Sequence, residues 1–126
     1  MAGQPILIVD DNPHNLKLAR VVLSQEGHDV RTASDAEQAL ELLEEFRPRL
    51  VLMDIQLPGM DGITALKQLK AEAKTKSIPV IAVTASAMTY NRQTMLAEGF
   101  DGYQSKPISV KDFLGEIERV LASRAS

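Results

Sequence analysis

Leu50-Val51-Leu52-Met53-Asp54-Ile55-Gln56-Leu57-Pro58-Gly59-Met60-Asp61-Gly62 is the stretch whose reading decides the fold. Four apolar residues run into one carboxylate, and a Pro/Gly-rich turn follows at once. A short unbroken apolar run bounded by turn residues is the pattern of a strand buried on both faces. Asp54 then stands at the strand's C-terminal end, at the rim of a sheet. Alone, such a carboxylate need only cap the next turn. The same arrangement recurs elsewhere in the chain, which gives it more weight.

Ile6-Leu7-Ile8-Val9 is a second apolar run, ending in Asp10-Asp11, and Asn12-Pro13 reads as a helix start with Asn as cap. Leu16, Ala19, Val22 and Leu23 follow at helical spacing until Gly27. Asp29 to Ala33 is a more polar strand, so nearer an edge. Ser34-Asp35-Ala36-Glu37 has the capping-box form, and Ala36, Ala39, Leu40 and Leu43 give that helix an inner face until Arg47-Pro48 breaks it.

Beyond Gly62, the residues Ile63, Leu66 and Leu69 mark a third helix. Val80-Ile81-Ala82-Val83 is another buried strand, ending in Thr84. Met88, Met95 and Leu96 predict a fourth helix that stops at Gly99, its methionines facing the core. Gly102 to Ser105 is a short fifth strand leading into Lys106-Pro107, which is expected to be a cis peptide. Ser109-Val110-Lys111-Asp112 opens a last helix with Phe113, Leu114, Ile117, Val120 and Leu121 inward. Both histidines have bland readings: His14 lies on a helix surface and His28 in a solvated turn.

Five strands alternating with five helices predict an α/β fold, a parallel sheet with helices on both faces. The 126 residues make one domain, 1–126, with its core over about 5–122 and no output domain after it. No apolar run approaches the ~20 residues that span a bilayer, and there is no secretory signal. Cysteine is absent, which excludes disulfides and thiolate metal sites and makes a cytoplasmic location the expectation. A net charge of −3, with Lys and Arg scattered, argues against direct nucleic-acid binding.

An open α/β sheet places its site outside the carboxyl ends of its strands, where strand order reverses. Asp10-Asp11, Asp54, Thr84 and Lys106 all fall on that rim. Two carboxylates ~5 Å apart at an effective dielectric near 20 repel by roughly 3 kcal/mol, so three of them call for a cation. Oxygen-only ligands favour a hard, partly hydrated ion such as Mg²⁺. Such an ion invites phosphoryl chemistry, with Asp54 as nucleophile, Lys106 as a point charge and Thr84 as a hydroxyl donor. The competing reading of Asp10-Asp11 alone is a helix N-cap pair favoured by the dipole.

These motifs resemble the receiver domain of two-component response regulators, from Ile6 to about Leu121. They are Val9-Asp10-Asp11-Asn12, Met53 to Gly62, Val83-Thr84-Ala85 and Ser105-Lys106-Pro107. Leu57, where Met is common, is a mild variation. The resemblance implies a doubly wound, flavodoxin-like sheet of strand order 2-1-3-4-5. It implies that Asp54 accepts phosphate from a histidine kinase or histidine phosphotransfer protein. Asp10, Asp11, Asp54 and the Gln56 backbone carbonyl would serve Mg²⁺, and Lys106 and Thr84 would read the phosphoryl group.

Tyr103 would be the switch aromatic, swinging inward as Thr84 is drawn in. The signal would reach a downstream protein through the fourth helix, fifth strand and fifth helix, in a monomer or a phosphorylation-dependent dimer. Thr84-Ala85-Ser86-Ala87-Met88 and Lys106-Pro107-Ile108-Ser109-Val110 are similar to single-domain regulators of the DivK type. Receivers fused to hybrid kinases share those phrases, so origin in a longer chain stays an alternative.

The expected role is a signalling phospho-acceptor that catalyses only its own phosphorylation and slow dephosphorylation. A Mg²⁺-dependent phosphohydrolase with an aspartyl-phosphate intermediate is the alternative of another class. It needs a general acid close to its nucleophile, commonly two residues on, where this chain has Gln56. A degenerate receiver kept only for binding conflicts with the complete acid set.

Overall fold

A computed structural model describes residues 4–106 and 108–124. Pro107, and with it the expected cis peptide, lies outside the described residues. The strands are β1 (Pro5–Val9), β2 (Asp29–Ala33), β3 (Leu50–Asp54), β4 (Val80–Thr84) and β5 (Gly102–Ser105). They alternate with α1 (Pro13–Gln25), α2 (Ala36–Leu42), α3 (Gly62–Ala71), α4 (Arg92–Glu98) and α5 (Val110–Arg124). All neighbouring strands pair in parallel, in the order β2-β1-β3-β4-β5. This is the doubly wound sheet of the sequence reading.

Side chains alternate across a strand, so each buried strand feeds two cores. Ile6, Ile8, Leu50, Leu52, Ile81 and Val83 pack against Ala19 and Leu23 of α1 and Phe113, Ile117 and Val120 of α5. Leu7, Val9, Val51, Met53, Val80 and Ala82 face the other way, onto α2, α3 and Met95 of α4. β1, β3 and β4 are therefore apolar on both faces. β2 exposes Asp29 and Arg31, as an edge strand does.

Local chemistry sets most boundaries. The Asn12 side chain accepts from the N–H groups of His14 and Asn15 and starts α1. Asp61 caps α3 by accepting from the Thr64 N–H at 2.8 Å. α4 ends at Gly99, whose φ of 114° suits only glycine.

Four expectations need correction. The capping box of α2 sits one residue later than Ser34-Glu37. Asp35 accepts from the Gln38 N–H at 2.7 Å, and Gln38 Oε1 accepts in return from the Ser34 N–H at 2.6 Å. The same helix ends at Leu42, before Arg47-Pro48, because an irregular turn from Leu43 closes with the Phe46 N–H on the Leu42 carbonyl. The fourth helix begins at Arg92, capped by Asn91, and Met88 stands in the preceding turn, 97% exposed. Only Met95 of that pair belongs to the core, since Asn91 supplies the cap and fixes the helix register. His28 is half-buried rather than solvated, with its Nδ1 shut from solvent and without a hydrogen-bond partner among the described residues. Burial lowers its pKa.

Gly62 ties α3 to the organising strand. Its N–H donates to the Ile55 carbonyl at 2.9 Å, and a Cβ there would lie 2.5 Å from the Asp54 carbonyl oxygen. Gly62→Ala is therefore expected to cost about 1–3 kcal/mol in urea unfolding, as overpacking against rigid backbone does. Gly115→Ala, where a Cβ in α5 meets nothing within 4 Å, should instead stabilise by about 1 kcal/mol through helix propensity.

Candidate functional site

β1 and β3 are neighbours, with Val9 opposite Met53, and strand order reverses between them. That register puts Asp10, just past β1, beside Asp54, the last residue of β3. Oxygens of Asp10, Asp11 and Asp54 lie within 4.8 Å of one another. Asp11 is exposed, while Asp10 and Asp54 are buried. Lys106, just past β5, reaches across to both. Its Nζ lies 3.0 Å from Asp10 Oδ2 and 3.2 Å from Asp54 Oδ2. A cleft of about 520 Å³ opens over these groups, lined by Asp11, Asn12, Pro13, Asn15, Asp54, Gln56, Ala85 and Lys106.

The remaining carboxylate oxygens are held by backbone donors of the turns. The Asn12 N–H donates to Asp10 Oδ1 at 2.9 Å, and the Gln56 N–H to Asp54 Oδ1 at 3.1 Å. Each strand-end carboxylate thus has one oxygen fixed by its own turn and the other on Lys106. Burial raises the Asp54 pKa, and the Asp10 charge adds to it, against the lowering by the Gln56 N–H and Lys106. Burial disfavours the Lys106 ammonium, but its hydrogen bond to Asp10 and the charges of Asp54 and Asp10 prevail, leaving its pKa raised.

Thr84 ends β4 and is fully buried. Its Oγ1 accepts from the Ser86 N–H at 3.0 Å, and Thr84 is not among the residues lining the cleft. Ser86 in turn donates its hydroxyl to Gln56 Oε1 at 3.2 Å, joining the loop after β4 to the loop after β3. The sequence reading missed Ser86 and Asn12 as supports, although each stands two residues past a named site residue, Thr84 and Asp10. Tyr103, in the middle of β5, is 9% exposed and packs in the core shared with Ala82 and Met95. The expected inward swing is thus corrected: the ring is already inside, drawn there by its apolar area.

The donor set fits a hard cation. Three carboxylates without nitrogen or sulfur suit Mg²⁺, whose ligands at ~2.1 Å span at most ~4.2 Å, so a small contraction of the trio would close around it.

Residues 6–118 match the family described as the response regulator receiver domain. The polar-differentiation response regulator DivK of Brucella anthropi is 41% identical over 116 residues, covering 92% of this chain and 94% of that protein. The DivK of Brucella ovis is 44% identical over 117 residues, with the same coverage. Among solved structures, the receiver domain of the sensor histidine kinase PA1611 from Pseudomonas aeruginosa PAO1 superposes with a TM-score of 0.87 at 33% identity. That match covers 96% of this chain and 99% of the other, which holds a magnesium ion coordinated in its active-site cleft. A CheY-like receiver protein from Methanospirillum hungatei JF-1 gives a TM-score of 0.87 at 32% identity, over 98% of this chain and 97% of that one. With sequence, fold and rim in agreement, this chain belongs to the receiver domains of two-component response regulators and is a phosphorelay signalling switch.

Proposed function

We propose that Asp54 is the phospho-acceptor of this switch, taking a phosphoryl group from a histidine kinase or histidine phosphotransfer protein. The observation that carries the reading is Lys106 Nζ, set between Asp54 and Asp10 at the mouth of the cleft. The Asp54 carboxylate attacks phosphorus, the P–N bond to the donor imidazole breaks as the O–P bond forms, and the imidazole leaves with a proton. Lys106, already beside Asp54 Oδ2, is placed to neutralise the added charge. The Gln56 N–H keeps Asp54 Oδ1 oriented.

Asp10, Asp11, Asp54 and the Gln56 carbonyl are the groups that would hold Mg²⁺. When bound, the ion would neutralise and orient phosphoryl oxygens. The chain is read as a cytoplasmic signalling protein whose only catalysis is on itself. No helix among the described residues is long and apolar enough to cross a membrane.

A small-molecule acyl phosphate with Mg²⁺ should add a single phosphoryl group by mass spectrometry, and Asp54→Asn should add none. An undiminished label on that variant excludes the assignment. Lys106→Ala should slow labelling by about 10²-fold, the usual loss on removing one charge-stabilising donor.

Metal binding to the folded chain alone should also appear as stability. At ten times its dissociation constant, Mg²⁺ should add about 1.4 kcal/mol, reversed by chelation and weakened in Asp11→Asn. A melting temperature insensitive to Mg²⁺ counts against the trio as ligands.

The output is read as a change on α4, β5 and α5, because β5 carries Lys106 at its end and Tyr103 at its centre. Thr84 is the proposed lever, since its hydroxyl accepts from the Ser86 N–H while keeping its own O–H to donate, and it must turn toward the cleft to meet a phosphoryl oxygen. NMR with beryllofluoride should therefore shift Tyr103 and α4 resonances as well as the loops at Asp10 and Asp54. Shifts confined to those loops exclude this route. The exposed Met88 belongs to the turn before α4 and moves with it in this reading.

A further inference from the structure

β5 is an edge strand, and edge strands leave backbone N–H and C=O groups open. Here both outward groups of Tyr103 are taken by side chains. Its N–H donates to Glu116 Oε2 at 2.7 Å, and its C=O accepts from Arg92 Nη2 at 3.3 Å. Glu116 comes from α5 and Arg92 from the first turn of α4, and the two pair with each other at 3.2 Å. Arg119, on the next turn of α5, donates Nε to Glu116 Oε1 at 3.1 Å and Nη2 to Oε2 at 3.0 Å. The same Nη2 reaches the Asp101 carbonyl at 3.3 Å. Arg92 also lies over the Tyr103 ring, 5.6 Å from its centroid. Glu116 Oε2 thus receives donors from α4, β5 and α5 together. Its side chain is 10% exposed, whereas those of Arg92 and Arg119 are 53% and 54% exposed.

A second observation gives this network a task. The Tyr103 hydroxyl is shut from solvent and has no hydrogen-bond partner among the described residues. A buried hydroxyl without a partner disfavours the inward ring, because an outward turn would return it to water. Ring burial opposes that turn, and so does the grip on the backbone and face of the same residue. Burial pushes the Glu116 carboxyl up, yet Arg119, the Tyr103 N–H and Arg92 outweigh it and hold it below its ordinary value.

We propose that Glu116 and Arg92 form a latch that positions Tyr103, holding its ring inward and stitching α4 to α5 across the open edge of β5. Arg119 steadies Glu116 and touches Tyr103 only through it. The consequence for signalling rests on the reading of Tyr103 as part of the output face. The latch itself belongs to the resting chain and needs no phosphate. Opening it frees one polar edge and one aromatic ring in a single event, so the face would change as a unit.

The chain has two tyrosines and no tryptophan, so in a Tyr90→Phe background tyrosine emission reports Tyr103 alone. Acrylamide, a neutral quencher, then measures its accessibility without disturbing ion pairs. Glu116→Ala and Arg92→Ala should each raise the quenching constant by about threefold or more, as loss of charge-assisted hydrogen bonds releases the ring. The double variant should exceed neither single one by much, because both remove the same contact. Glu116→Gln, which keeps an acceptor for the Tyr103 N–H, should fall between. Arg92→Lys should not restore protection, since an ammonium neither stacks on the ring nor forks between two acceptors.

Quenching in the folded Glu116→Gln and Arg92→Ala chains equal to wild type overturns the latch. Additive rises from the two sites overturn the single-latch account. Neither outcome involves Asp54, so failure here leaves phospho-acceptance standing, and loss of phospho-acceptance leaves the latch standing.

Discussion

Two buried carboxylates beside an exposed third are the constraint from which this molecule is built. Held within 4.8 Å, like charges repel by about 3 kcal/mol at an effective dielectric near 20, and burial of Asp10 and Asp54 removes the water that would screen them. Lys106 answers that repulsion by pairing with both at once. It can do so only because β5, two strands from β3, ends level with it in a parallel sheet. The order of the strands is thus part of the electrostatics.

The loops do comparable work. Asn12 and Gln56 each turn a backbone N–H onto the preceding strand-end carboxylate, so Asp10 and Asp54 are oriented by their own chain reversal. Asp61 caps α3, and Gly62 lets that helix start against the backbone of Asp54 without a clash. Acid, turn and helix start form one unit, which fixes the direction in which the Asp54 carboxylate faces the cleft.

The two sheet edges are handled differently. β2 relies on charged and polar side chains, with Arg31 stacked 4.7 Å over the Phe46 ring. β5 is closed by side chains from two flanking helices, and its aromatic residue is buried with its hydroxyl without a partner among the described residues. β5 thus leads into Lys106 at the acid cluster and has its flank held by side chains of α4 and α5.

The pattern of apolar runs ending in polar residues was enough to read five buried or edge strands, five helices and a rim bearing Asp10, Asp11, Asp54, Thr84 and Lys106. Period-two burial and capping residues act within a few positions, so they are legible in a linear text. The start of α4 was misread because Met88 and Met95 share a helical spacing that the Asn91 cap overrides. Glu116 and Arg119 could be seen as neighbours on one helix turn. Their meeting with Arg92 and the backbone of Tyr103 could not, because nothing local links residues that many positions apart. Sequence alone determined which groups exist at the rim, since strand ends are set by local patterning. Tertiary structure alone decided that Lys106 bridges Asp10 and Asp54, that Thr84 turns to Ser86 and that Tyr103 lies inside, since each depends on distances that only strand order and helix packing create.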